Sequence, residues 1–231
     1  MTRLSTTLTA LLIALVIAAP AAAQQRETET VDRTLTMPAG GTLRLKTFSG
    51  RVRITGTTGS ELIVKAIRRS TRDRLNDIKL EIVQSGNTVE IDANHRVVER
   101  RNDNVVETDF DIQVPARTRL DIKTFSAPVT VIGVSASQNI DGFSSDITIE
   151  SNEFTDGNDI DVNTFSGNVR LRLPASAKGS IDFSTFSGKF ESDLPVTLNT
   201  SSRRNFRGTL NGGGAGAFRL KTFSGDVTIR R

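Results

Sequence analysis

No cysteine, tryptophan or tyrosine occurs in the chain, and there is a single histidine, His95. Without thiols there can be no disulfide framework, no cysteine-linked lipid and no thiolate for zinc, and one histidine cannot make a His-rich metal cluster. A Ser-His-Asp mechanism would have to run through His95, which sits in a polar stretch with Arg96, Arg100 and Arg101, and no G-x-S-x-G elbow surrounds any serine. The glycine-rich run at 212–217 has no Lys-Ser/Thr after it, so it is not a phosphate-binding loop. EF-hand loops and G-G-x-G-x-D series are missing too. The composition therefore implies no cofactor and no metal, and it gives no residue a catalytic role.

Long apolar runs are also scarce. The only one lies at the start, where Arg3 precedes Leu11–Ala19 and the small residues Ala21 and Ala23 stand where a signal peptidase needs them. That run is about half of what a bilayer crossing needs. Residues 1–23 are predicted to be a cleaved signal peptide, with the mature chain beginning at Gln24. The remaining 208 residues carry a net charge of +3 against +4 for the whole chain, because Arg3 is lost. They suffice to bury about 70% of the unfolded surface without disulfides. An exported protein, periplasmic or extracellular and cell-surface associated, is expected, with no transmembrane segment in the mature chain.

What the chain has in abundance is one phrase. L-R-L-K-T-F-S-G-R-V-R-I at 43–54 returns at 120–131, 139–149, 160–171, 181–190 and 218–229, degraded or intact. Each copy is two short runs of period-two alternation around a Phe-Ser-Gly-like corner, the pattern of two strands joined by a bend. The corner phenylalanines are Phe48, Phe125, Phe143, Phe165, Phe186 and Phe223, half of the twelve in the chain. Steps near 20 residues with two strands in each make a solenoid period, and Phe206 reads as a worn copy inside the longest step. Consecutive copies are expected to stack in order, with Phe165 on Phe186.

Between the first copy and the rest, residues 61–114 break the pattern. Longer alternating strands at 61–69, 77–84, 87–93 and 105–114, with a tight S-G-N connection after the second, predict an antiparallel meander. Residues 24–34 are polar and unpatterned, a leader expected to be mobile unless paired. The expected fold is all-β: a β-solenoid or β-helix-like repeat stack with a more antiparallel N-terminal meander and no substantial helix outside the signal peptide. A single domain over 35–231 is read, with longer strands at 61–114 and short repeats at 118–231.

Strict alternation would point each corner Phe at solvent. Six exposed rings would form an apolar ridge of the kind soluble monomers avoid, so a bend is expected to turn them inward, with Ser bonding the turning backbone. The other reading is an exposed aromatic platform for glycans or a protein partner. Aligned on the Phe, Asp121, Asn139, Asp161 and Asp182 share one outward phase and form a candidate acidic stripe. Arg203, Arg204 and Arg207 form a candidate basic patch, and Arg68, Arg69, Arg72 and Arg74 another; with a pI near 9.8 these suit anionic polymers.

The phrases at Leu45–Ile54, Ile122–Val131, Val162–Leu171 and Leu220–Ile229, together with the signal peptide, resemble the bacterial DUF4097-like family of exported β-strand-repeat proteins labelled putative adhesins. The resemblance implies an elongated β-solenoid-like domain and, by the family label, an envelope or surface interaction role without catalytic residues. The functional expectation is a non-enzymatic exported structural or interaction protein. Its partner would be a cell-envelope component, surface protein or anionic polysaccharide; export disfavours nucleic acid. The competing expectation is a polysaccharide-active enzyme using a groove on the solenoid, which would need convergent carboxylates.

Overall fold

The computed structural model describes residues 26–96, 105–154, 157–202 and 204–231, so the predicted signal peptide lies outside it. The chain enters through β1 (Glu27–Thr36), the long β2 (Thr42–Thr57) and β3 (Glu61–Ser70). A six-residue helix α1 (Arg72–Asp77), the hairpin β4 (Ile78–Ser85) and β5 (Thr88–Arg96), and then β6 (Glu107–Pro115) follow. Strand pairs then repeat: β7 (Arg119–Ser126) with β8 (Val129–Ile132), β9 (Gln138–Ser144) with β10 (Ile147–Glu150), β11 (Asp159–Ser166) with β12 (Val169–Arg172), and β13 (Gly179–Ser187) with β14 (Phe190–Ser192). The hairpin of β15 (Val196–Ser201) and β16 (Asn205–Leu210) precedes the last pair, β17 (Ala217–Ser224) and β18 (Val227–Arg230).

Each repeat is a rung with one strand on each of two faces. β2 is long enough to serve both: residues 42–49 pair in parallel with β7, and residues 52–55 with β8. From there face one runs β2, β7, β9, β11, β17, β13, and face two runs β2, β8, β10, β12, β18, β14, all parallel. Alternate residues point inward, and those of both faces merge into one core that includes Leu43, Leu45, Ile122, Val131, Ile149, Val162, Leu171, Ile181, Leu220 and Ile229. The all-β solenoid expected from the period-two phrases is the observed fold.

Three details differ from expectation. The rungs are not stacked in chain order, because the C-terminal rung β17–β18 is inserted between β11–β12 and β13–β14. Phe206 is not a worn repeat: β16 runs antiparallel to β13 and to β15, and its Phe206 ring packs 5.3 Å from Phe183 and 4.8 Å from Phe190. The leader is not loose, since Glu27–Thr36 pairs along its whole length with β3.

The segment 61–114 forms two caps rather than one meander. On face one β5 lies parallel to β2 with β4 antiparallel outside it, as the tight S-G-N turn predicts. On face two β6 lies parallel to β2, then β3 and β1 follow antiparallel. The predicted basic cluster here belongs to this cap. Arg68 is buried, donating to Glu29 and to the Ile78 carbonyl; Arg69 donates to Asp109 at 2.7 Å; Arg72 pairs with Glu27. These contacts fasten β1 and α1 to the stack. At the other end, among the described residues, only face one is capped, by β15–β16.

Candidate interaction surface: an external phenylalanine ridge

The strand register carries straight through each T-F-S phrase, so parity is kept to the corner. In β2 Leu43, Leu45 and Thr47 point in, while Arg44, Lys46 and Phe48 point out. The six corner rings are therefore exposed, from 39% at Phe48 to 53% at Phe186, and the expected inward ladder is overturned. The inner corner position belongs to threonine: Thr47, Thr124, Thr164, Thr185 and Thr222 are buried. Thr124 Oγ1 donates to the Ala127 carbonyl at 3.2 Å and Thr164 Oγ1 to the Ser145 carbonyl at 3.3 Å. Threonine thus satisfies the backbone at these two corners, Ser145 Oγ accepts the Ala127 N–H at 3.2 Å, and the buried Thr185 and Thr222 hydroxyls have no hydrogen-bond partner among the described residues. At the four corners where glycine follows the serine, it permits a close approach of backbones that Ala127 and Ser145 do without. A Cβ on Gly225 would lie 2.0 Å from the Gly167 carbonyl oxygen of the next rung.

Exposure does not leave the rings isolated. Phe48 stacks on Phe125 at 4.5 Å between centroids, Phe125 on Phe143 at 4.8 Å, and Phe143 on Phe165 at 4.9 Å. Phe165 then stacks on Phe223, and Phe223 on Phe186, both at 4.7 Å. The expected Phe165–Phe186 contact is replaced by one through Phe223, because the last rung is inserted there. All five pairs are within 12° of coplanar. Each such pair contributes about 0.5–1.5 kcal/mol beyond its burial. The Arg204 guanidinium lies 4.5 Å over the Phe186 ring and closes that end. Five rung spacings carry the ridge over roughly 24 Å. Since neighbours cover the ring faces, solvent meets a ribbon of ring edges.

The predicted acidic stripe lies on face one, in the second polar row from the ridge, but it is not acidic. Asp121, Asn139 and Asp161 are register neighbours, while Arg219 of the inserted rung separates Asp161 from Asp182. Glu90 and Arg44 extend the row at one end and Arg207 at the other. Arg44 lies 2.7 Å from Glu90 and 3.9 Å from Asp121; Arg219 lies 3.1 Å from Asp159 and 3.8 Å from Asp161; Arg207 lies 3.1 Å from Asp182. Asn139 donates to Asp121 at 3.4 Å. Hydrogen bonding to Glu90 raises the Arg44 pKa above its ordinary value, so its charge persists at any physiological pH. The predicted stripe and the predicted arginine patch are thus parts of one charge-compensated row. Arg203 lies outside the described residues, Arg204 belongs to the ridge and Arg207 to the row.

Closer to the ridge runs a second row of different character: Asp92, Lys46, Lys123, Asp141, Asn163, Lys221 and Ser184. Among the described residues the three lysines have no ion-pair or hydrogen-bond partner, and all are exposed. Sequence reasoning passed over them, although the signal was present: a lysine stands two positions before the Phe in the first, second and last copies. On the ridge's other flank are the corner serines and a ladder of side-chain oxygens. Asp146 accepts the Asn168 N–H at 2.8 Å, Asn168 that of Asp226 at 3.0 Å, and Asp226 that of Lys189 at 2.8 Å. His95, the sole histidine, pairs with Glu81 at 3.1 Å across the β4–β5 hairpin.

Among the described residues no group of three or more His, Cys, Asp or Glu is arranged to hold a metal, and no helix is long and apolar enough to cross a membrane. A family model described as Toastrack DUF4097 matches residues 30–230. No curated protein matches the chain in sequence. Among solved structures, a putative cell adhesion protein from Clostridium sporogenes ATCC 15579 is similar, with a TM-score of 0.66 at 12% identity over 87% of this chain and 99% of that one. A putative adhesin from Bacteroides fragilis NCTC 9343 aligns over 87% of this chain and 97% of its own at 10% identity, with a TM-score of 0.34. The first comparison is one of fold; the second is too loose to carry an argument.

Proposed function

We propose that this chain, which belongs to the Toastrack DUF4097 family, is an exported, non-enzymatic interaction protein whose contact surface is the phenylalanine ridge. The observation that carries this reading is the continuous line of six exposed rings along one corner. Soluble proteins keep apolar patches of this extent for contact with something else. The name of the Clostridium sporogenes protein, a putative cell adhesion protein, agrees with a surface or envelope role in the periplasm or on the cell surface.

The polysaccharide-active alternative asks for carboxylates held close together in a groove for acid and base work. The outward carboxylates Asp121, Asp161 and Asp182 instead fall on alternate rungs and are engaged by Arg44, Arg219 and Arg207. The test is a binding screen of the mature chain against envelope glycans, envelope proteins and anionic polysaccharides, with product formation followed in the same samples. The wild type should be retained without turnover, and a folded Phe143→Ser/Phe165→Ser chain should not be retained. Reproducible turnover, or retention indifferent to the double substitution, would overturn the proposal.

A further inference from the structure

We infer that the ridge docks on an anionic lipid bilayer, with ring edges entering the headgroup–acyl boundary and the neighbouring lysines meeting headgroup phosphates. The inference rests on the ridge being the contact surface proposed above, and it names the partner. Two observations select it. The first is ring orientation. Sugars and bases are gripped by aromatic faces, but here neighbouring rings at 4.5–4.9 Å cover the faces. A ribbon of edges suits a fluid apolar medium that needs no matching shape, and it lies on a convex corner of the solenoid.

The second observation is where the cations without a direct ion-pair partner sit. In the outer row each arginine is matched by carboxylates, whereas beside the ridge Lys46, Lys123 and Lys221 have no partner among the described residues. Arg204 adds a cation at the Phe186 end. The nearby carboxylates are directed at other donors rather than at the lysines: Asp92 accepts the Asn94 N–H, Asp141 accepts from Asn163, Asp146 and Asp226 accept backbone N–H groups, and Asp146 also meets Arg170. Apolar surface flanked by unpaired cations is the pattern of peripheral attachment to anionic membranes, long lysine stems reaching up to the phosphates. On the opposite flank the corner serines stand next to the ridge, and the Asp146, Asn168 and Asp226 side chains beyond them are turned back onto backbone N–H groups of neighbouring corners.

The test is co-sedimentation of the mature chain with phosphatidylcholine vesicles, with and without phosphatidylglycerol, over a salt series. Because the chain has no tryptophan, a Phe143→Trp substitution gives a single fluorophore on the ridge. Partitioning is expected only with phosphatidylglycerol, falling as salt rises, with a blue shift of the Phe143→Trp emission. Each lysine removed should weaken partitioning about fivefold, so Lys46→Ser/Lys123→Ser/Lys221→Ser should weaken it about a hundredfold. Circular dichroism would check that the triple variant stays folded. No partitioning, partitioning unmoved by the lysines, or an unshifted emission would overturn the inference. If vesicles fail while Phe143→Ser/Phe165→Ser still abolishes retention on a glycan or protein, the ridge remains the contact surface and only the lipid assignment falls. If the double substitution instead turns a dimer into a monomer in light scattering, without vesicle binding, the ridge belongs to a second copy and the lipid inference is overturned.

Discussion

The first four rungs of the stack and the last two are built from the same phrase, yet only the first four follow chain order. From β2 to β11 each rung lies beside its sequence neighbour; beyond β11 the next rung in space is the last in sequence. The two regions have the same inward alternation and the same external ladder. What differs is their connections. From β7 to β12 the copies are joined by short loops, and the long excursion between β2 and β7 goes into the caps beyond β2, whereas β13–β14 is followed by the antiparallel hairpin β15–β16, which occupies the outer edge of β13. With that edge taken, the final rung enters on the inner side. A repeat makes its copies interchangeable, so connections and caps, not the phrase itself, decide the order.

The largest effect is expected from removing the last rung. In a stack laid down in sequence order, deleting 217–231 would peel one end. Here it removes a rung that β11 and β13 both hold, so loss of cooperative urea unfolding is expected for the whole C-terminal half. A transition retaining the wild-type slope would contradict the insertion. Next in size is the corner of that rung. Gly225→Ala should destabilise by about 3 kcal/mol in a urea titration, because its Cβ meets the Gly167 carbonyl. Ala127→Gly, at the equivalent corner of the ordered region, should cost only about 0.5–1 kcal/mol.

The ladder gives a smaller and more discriminating effect. Phe143→Ala removes two ring contacts and should cost about 1–3 kcal/mol, and Phe186→Ala, with one ring neighbour, about half as much. An inward phenylalanine would cost about 3–5 kcal/mol in either place, so thermal or chemical melts of the two variants separate the external from the internal ladder. Smallest of all, Asp182→Asn should change stability by less than about 1 kcal/mol, with the difference vanishing at high salt, since its partner Arg207 is well exposed.

Much of the fold was legible in the sequence because period two is a local signal. Leu120, Ile122, Val129 and Val131, or Phe218, Leu220, Val227 and Ile229, could be assigned to the interior from alternation alone, and they are buried there. The same alternation pointed the corner Phe residues outward. A general reluctance to expose apolar rings outweighed it, and what that generalisation missed is that rings on adjacent rungs cover each other's faces. Pairing across rungs was not legible for a different reason. Arg219 neutralises Asp161 only because the last rung is inserted, and Arg207 reaches Asp182 only through an antiparallel hairpin. Both are long-range facts with no local trace. The lysines beside the ridge were visible in the phrase, but their lack of partners could be seen only once the neighbouring rows were in place.

The inserted rung is what makes the ridge one unbroken line, and the lack of native cysteine allows it to be tested with engineered pairs. Ser166 and Ser187 each pair in register with Ser224. Adjacent strands put Cα atoms roughly 4.8 Å apart, within disulfide range, whereas two rungs put them roughly 9.6 Å apart, beyond it. Oxidation should therefore close a disulfide in the Ser166→Cys/Ser224→Cys chain and in the Ser187→Cys/Ser224→Cys chain, and leave Ser166→Cys/Ser187→Cys as free thiols. Efficient closure of the Ser166→Cys/Ser187→Cys pair, with none to position 224, would mean that the rungs stack in chain order and would contradict the account.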